Sequence, residues 1–180
     1  MQTRLTKSVI CFALALAPAT CALGPVSITA QDKDGAGAVI SGKATAKDVG
    51  LPIYPGSTPH KDKDDDSAAA NLGLWGGGAG FKLVVLKMES ADAPEKLVTF
   101  YKKALSKYGP VLDCSNPAAS ANKTPKDDSS NTLTCDDNKP EKGGYVFKAG
   151  TKEKHHLVAI QPNGQGTLYQ LLNIGAWGKK

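Results

Sequence analysis

The stretch NLGLWGGGAGFKLVVL, residues Asn71–Leu86, decides which fold class the chain belongs to. Four of the five positions from Gly76 to Gly80 are glycine, and Lys82 follows inside an apolar run. A phosphate-binding loop would place a lysine beside its last glycine, then a serine or threonine, and then a helix. Here Phe81 separates Gly80 from Lys82, and the apolar run that follows has the length of a strand. The glycines therefore predict the tip of a β-hairpin, where positive φ angles allow a tight reversal.

The segment ESADAPEKLVTFYKKALSKYGP, Glu89–Pro110, predicts the main helix over about residues 93–108. Asp92 is expected to cap its N-terminus together with Glu95, and Pro94 falls in the first turn, where a missing N–H does no harm. Apolar residues recur with the helical period, opposite a row of lysines. They are Leu97, Val98, Tyr101, Ala104, Leu105 and Tyr108.

Strand-like runs lie on both sides of this helix. They are Ala68–Trp75, Phe81–Met88, Tyr145–Ala149, His155–Pro162 and Thr167–Gly175, with two short runs, VLDC and TLTC, that end in cysteine. This order predicts an α+β fold: an antiparallel sheet of about six or seven strands, with the one main helix packed on it.

The first 30 residues have the pattern of a secretory signal peptide. Arg4 and Lys7 precede a short apolar run and then a series of small residues. We expect cleavage after Ala30, with Ala22 as the alternative position and a lipid-modified Cys21 as a further one. The protein is then expected to be periplasmic or secreted, with no membrane insertion after the signal is removed.

The remaining chain divides into two parts by composition. Residues 31–46 are rich in glycine, alanine, lysine and aspartate, which predicts a flexible leader, and residues 47–178 are predicted to form a single α+β domain. Removal of residues 1–30 lowers the formal net charge from +5 to +3. Because lysines alternate with aspartates instead of forming a stripe, nucleic acid is not expected as a partner.

The cysteines predict a disulfide. Cys11 and Cys21 belong to the predicted signal peptide, so only Cys114 and Cys135 remain in the mature chain. Two cysteines in an oxidising compartment most simply bond to each other. Closure of a loop of about 22 residues would stabilise the fold by roughly 3 kcal/mol in the chain-entropy model.

No constellation of residues predicts catalysis, a metal site or a cofactor. His155 and His156 are adjacent, so on a strand they point to opposite faces and cannot bind one metal together. The segment HKDKDDDS, His60–Ser67, spaces its acids like the start of a calcium-binding loop, but it lacks the glycine and the glutamate that such a loop requires. It is interpreted as a solvated charged loop. No serine lies in a G-x-S-x-G turn.

Two segments carry a resemblance to a known group. GLPIYPGSTP, followed by a hairpin and by SADAPEKLVTFYKKALSKYG, resembles exported bacterial proteins of unknown function with an L-P-x-Y-P-G motif and a D-x-P-x-x-V-x-x-F-Y-x-x-x-L helix. The matching positions are Leu51, Pro52, Tyr54, Pro55, Gly56, Asp92, Pro94, Phe100, Tyr101 and Leu105, while Leu97 stands where valine is usual. The resemblance covers about residues 49–135. It implies the fold and export, and it supplies no activity and no functional residues.

Two functions from different classes remain as hypotheses. The favoured one is a non-catalytic domain that binds a ligand or a protein partner in the cell envelope. The alternative is an unrecognised hydrolytic or metal-assisted extracytoplasmic enzyme. A pocket with convergent polar groups and a perturbed carboxylate or histidine would favour the enzyme, whereas an aromatic-rimmed sheet face would favour binding.

Overall fold

A computed structural model describes residues 27–31, 35–63, 67–116, 131–135 and 139–178. Most of the predicted signal peptide lies outside these residues. Within them, no helix combines the length and the apolar character that a membrane-spanning helix requires.

The described residues form one antiparallel sheet and two helices. In chain order the elements are β1 Ser27–Gln31, β2 Gly37–Ser41, α1 Ala46–Val49, β3 Thr58–Pro59, β4 Ala69–Gly76, β5 Ala79–Ser90, α2 Pro94–Leu105, β6 Leu112–Asp113, β7 Tyr145–Gly150, β8 Lys154–Asn163 and β9 Gly166–Trp177. The strands lie in the order β1-β2-β4-β5-β9-β8-β7-β6, and β3 pairs with β5. All but β3 and β6 have five residues or more. The predicted α+β class, with six or seven strands and one main helix, is confirmed.

The glycine-rich stretch forms the predicted hairpin tip. Strand β4 ends at Gly76 and β5 begins at Ala79, so only Gly77 and Gly78 lie between them. Their φ angles are 58° and 82°. Positive φ at both central residues is the geometry of the tight turn that matches the twist of two antiparallel strands.

The main helix begins one residue later than the capping prediction requires. The N-cap position is Ala93, which is extended and makes no side-chain capping bond, and Pro94 opens the helix. A residue before proline is kept out of the helical region by the proline ring, so Ala93 cannot be the first helical residue and Asp92 is moved outside the cap. The prediction that Asp92 and Glu95 form a capping pair was therefore wrong. A 3₁₀ turn at Ser106–Tyr108 continues α2 to the predicted end.

The sheet has two unlike sides. Helix α2 packs on one side, which we call the helix face, and buries Leu97, Tyr101 and Leu105 against it. The sheet contributes alternate residues to that core, among them Val84, Leu86, Met88, Phe147, Val158, Ile160, Tyr169 and Leu171. The intervening residues lie on the opposite side, the far face. A smaller cluster, which contains Cys114, Val146 and Leu157, is buried there.

Two segments differ from the sequence-based prediction. Residues 37–41, inside the predicted leader, form β2 and pair with β4 from Gly37–Trp75 to Ser41–Asn71. The second short run, Thr132–Cys135, was predicted as a strand but has no strand structure. It is held instead by isolated bonds such as that from Lys148 Nζ to the Thr134 carbonyl, at 2.8 Å. Isolated bonds of this kind cannot impose the repeated pairing that defines a strand.

Candidate functional site

Several of the residues that carry the resemblance pack together between the helix and the sheet. They are Leu51, Tyr54, Phe100, Tyr101 and Leu105. The Tyr54 N–H donates to the hydroxyl oxygens of Tyr101 and Tyr169, at 3.1 and 3.3 Å. The Tyr101 hydroxyl donates to the Pro52 carbonyl at 3.1 Å. Burial raises the pKa of Tyr101 far above its usual range. These tyrosines therefore hold the L-P-x-Y-P-G segment in place.

The same cluster joins the segment to the start of α2. The Tyr54 hydroxyl donates to Asp92 Oδ2 at 2.8 Å, and Lys96 Nζ donates to Asp92 Oδ1 at 2.6 Å. These two bonds, that from Lys96 first, lower the pKa of Asp92. The Phe100 ring meets the Tyr54 ring edge to face at 5.2 Å between centroids. The two motifs therefore contact each other, and these contacts give a structural role to their residues.

A second polar cluster lies at the β3–β5 edge of the sheet. His60 Nδ1 lies 2.9 Å from Glu89 Oε2, and its Nε2 lies 3.4 Å from Asp62 Oδ1. Lys87 Nζ also contacts Asp62. The hydrogen bond from His60 is the main cause that lowers the pKa of Glu89. Both ring nitrogens of His60 therefore face carboxylates.

A cleft that includes part of this cluster opens on the far face. Its volume is about 360 Å³. The apolar floor comes from β7, β8 and β9 and consists of Val146, Leu157, Ala159, Leu168 and Leu172. The polar rim includes His60 and Asp62 of the polar cluster. Its other members are Lys87, Lys139, Glu141, Gln161 and Gln170. We call this site the far-face cleft. Its size and its apolar floor with a few polar groups are typical of small-molecule sites.

The predicted cysteine pair lies next to the cleft floor. The Cα atoms of Cys114 and Cys135 are 5.3 Å apart, and their sulfur atoms are at disulfide-bonding distance. The Cys114 N–H donates to the Val146 carbonyl at 2.8 Å. Both cysteines pack with Val146 and Leu157, which form part of the floor. A bond between the cysteines would therefore brace this side of the cleft.

The adjacent histidines do not converge on one site. His156 lies on the helix face, where its ring stacks on Tyr108 at 3.6 Å between centroids. His155 faces the other side, and its Nδ1 lies 3.1 Å from the Thr151 carbonyl oxygen. Burial is the main cause that lowers the pKa of His156 to about 4, with Lys107 next. In the described ranges no group of three or more His, Cys, Asp or Glu side chains could hold a metal ion. Asp64 and Asp66 of the charged loop lie outside those ranges.

Both tryptophans of the chain lie at one end of the sheet. This grouping was not predicted from the sequence. Trp75 is near the end of β4 and Trp177 is the last residue of β9. Trp177 is 51% exposed. Together with glycines and alanines of β2, β4 and β5, the two rings line an open depression. A usable signal existed in the sequence, because each tryptophan lies within a glycine-rich strand end.

Comparisons with protein-family models, with curated proteins and with solved structures found no match to this chain. The far-face cleft and the tryptophan end of the sheet are therefore the structural features that bear on function.

Proposed function

We propose that this chain is an exported, non-catalytic domain that binds a small ligand in the far-face cleft. The observation that carries the proposal is the apolar floor of the cleft under a polar rim. Burial of apolar ligand surface on such a floor provides affinity, while rim groups such as Gln161 and Gln170 orient the polar end of the ligand.

The pairing of the charged groups at the cleft favours binding over catalysis. His60 contacts Glu89 and Asp62, and Lys87 contacts Asp62 as well. A general base needs a free nitrogen or oxygen directed at the proton that it removes. Here the contacts run between the side chains themselves, which suits a fixed rim better than a reaction centre.

Export is supported by the cysteine pair. Cys114 and Cys135 lie at bonding distance, and disulfides persist mainly in secreted and periplasmic proteins. The signal-peptide pattern of residues 1–30 points to the same compartment.

The experiment uses anilinonaphthalene sulfonate, a probe with an apolar body and one anionic end. The probe should bind the folded protein saturably at micromolar concentration. Ala159→Phe should weaken binding at least about tenfold, because it fills the floor. Ala70→Phe is the matched control, since Ala70 is exposed on the same face but does not line the cleft.

Equal binding by the Ala159→Phe and Ala70→Phe variants would contradict the proposal. Turnover of a chromogenic ester that disappears in His60→Gln would support the enzyme hypothesis instead. Thermal melts of each variant show whether the fold is intact.

A further inference from the structure

The two tryptophans stand in one row across the helix face. The residue pairs Gly37–Trp75, Trp75–Gly80 and Gly80–Trp177 are directly opposite one another on β2, β4, β5 and β9. Residues that are opposite in antiparallel strands point to the same side of the sheet. The row is therefore glycine, tryptophan, glycine, tryptophan, at the hairpin end of the sheet.

Each indole lies over the glycine of the neighbouring strand. A Cβ atom at Gly37 would overlap the ring of Trp75, and one at Gly80 would overlap the ring of Trp177. Both rings thus lean by one strand in the same direction. Because neighbouring strands are about 4.8 Å apart, the two rings remain about 10 Å from each other. No other side chain of this row stands between the two rings, so a flat, extended ligand has access to both.

The next row on the same face carries two cations. Lys82 on β5 and Lys154 on β8 flank Gly175 of β9, and each is paired directly with it. In the described part of the chain, neither ammonium group makes a salt bridge or a hydrogen bond. Hydrogen bonds from the Thr45 side chain and N–H are the main cause that lowers the pKa of Asp48, and the charge of Lys82 acts in the same direction. The face beside the tryptophans therefore presents positive charge that is available to an anion.

We propose that this tryptophan–lysine face binds an acidic carbohydrate chain. One side of a pyranose ring presents C–H groups, which carry partial positive charge and match the negative face of an indole. Two indoles in a line suit linked sugar units, and a carboxylate on the sugar pairs with Lys82 or Lys154. The Asn71 side chain, two residues from Gly73 on the same face, adds an amide for the sugar hydroxyl groups.

The charges distinguish this ligand from the other molecules that stack on tryptophan. A quaternary ammonium ligand would be repelled by Lys82 and Lys154. A single-stranded nucleic acid needs a basic groove that follows its backbone, whereas this face offers two lysines. The site lies on the side of the sheet opposite the far-face cleft, so it is independent of the function proposed above.

The experiment compares a hexamer of galacturonic acid with its methyl ester by isothermal titration of the exported protein. The ester keeps the rings and hydroxyl groups but has no charge. The acid should bind more tightly than the ester by about tenfold, and the difference should shrink when NaCl is raised to about 0.5 M. Trp177→Ala should weaken binding of both probes at least about tenfold.

The double variant Lys82→Gln, Lys154→Gln should reduce acid binding to the level of the ester and leave ester binding unchanged. Lys103→Gln, on the exposed side of α2, is the matched control and should change neither. Trp177→Phe, which keeps an aromatic ring, should lose less binding affinity than the alanine variant. It serves as the control for a variant that fails to fold. The proposal is overturned if neither probe binds, if the acid and the ester bind equally, if Trp177→Ala binds like wild type, or if an oligothymidylate binds more tightly than the acid.

Discussion

Removal of the Tyr101 hydroxyl tests whether the contacts between the L-P-x-Y-P-G segment and helix α2 stabilise the fold. Tyr101 is fully buried. Its hydroxyl accepts from the Tyr54 N–H and donates to the Pro52 carbonyl, both at 3.1 Å. Tyr101→Phe removes both bonds while it keeps the ring and its packing.

The expected loss of unfolding free energy depends on whether each former partner of the hydroxyl can form another hydrogen bond. The Tyr54 N–H still has the Tyr169 hydroxyl at 3.3 Å, and Pro52 is an exposed residue. Each bond therefore contributes its net value, and the variant should lose about 1 to 2 kcal/mol of unfolding free energy. For a domain of this size that is a fall in Tm of several degrees.

Urea unfolding followed by circular dichroism measures the change. The urea concentration at the midpoint of unfolding should fall. The slope of unfolding free energy against urea concentration should stay constant, because the surface exposed on unfolding does not change. Tyr145→Phe is the matched control: Tyr145 borders the same core, and its hydroxyl has no hydrogen-bond partner among the described residues. An unchanged midpoint for Tyr101→Phe, or an equal fall for Tyr145→Phe, would refute the reasoning.

Three further predictions concern the disulfide, pH and export. Cys114→Ala should lower the unfolding free energy by about 3 kcal/mol under non-reducing conditions and leave the far-ultraviolet spectrum unchanged; a melt equal to that of wild type, or two free thiols in the exported protein, would contradict it. The folded pKa of His156 is about 4, below its unfolded value, so the unfolded chain binds the extra proton between pH 6.5 and pH 4. Stability should therefore fall as the pH falls through that window, by up to about 3 kcal/mol, and His156→Gln should flatten this slope unless another group causes it. Mass spectrometry of the exported protein should find its N-terminus at Gln31; an N-terminus at Leu23 would instead retain all of β1, and an intact Met1 would rule out cleavage.

The sequence was sufficient where a local pattern determines the structure. The glycines at 76–80 dictate a reversal through their φ angles, and the stripe from Leu97 to Tyr108 dictates an amphipathic helix. The cysteine pair could be predicted by elimination, because two of the four cysteines fall in the predicted signal peptide. Local patterns were insufficient where a neighbour decides the outcome. Residues 37–41 form a segment of only five residues, and they become a strand because they pair with β4.

The candidate sites depend on register, which local patterns cannot reveal. The far-face cleft needs β7, β8 and β9 side by side, and the tryptophan row needs Gly80 opposite Trp177, residues that are nearly a hundred positions apart. A shift of one residue in the β5–β9 pairing would send one of the two tryptophans to the far face. This pairing explains why positions 37 and 80 are glycine: each lies beneath an indole ring, where a side chain would overlap it. Gly80→Ala should accordingly displace Trp177 and change its fluorescence, even though the turn itself requires positive φ only at Gly77 and Gly78. An emission spectrum identical to that of wild type would show that the ring does not rest on this glycine, and the tryptophan–lysine face would lose its basis.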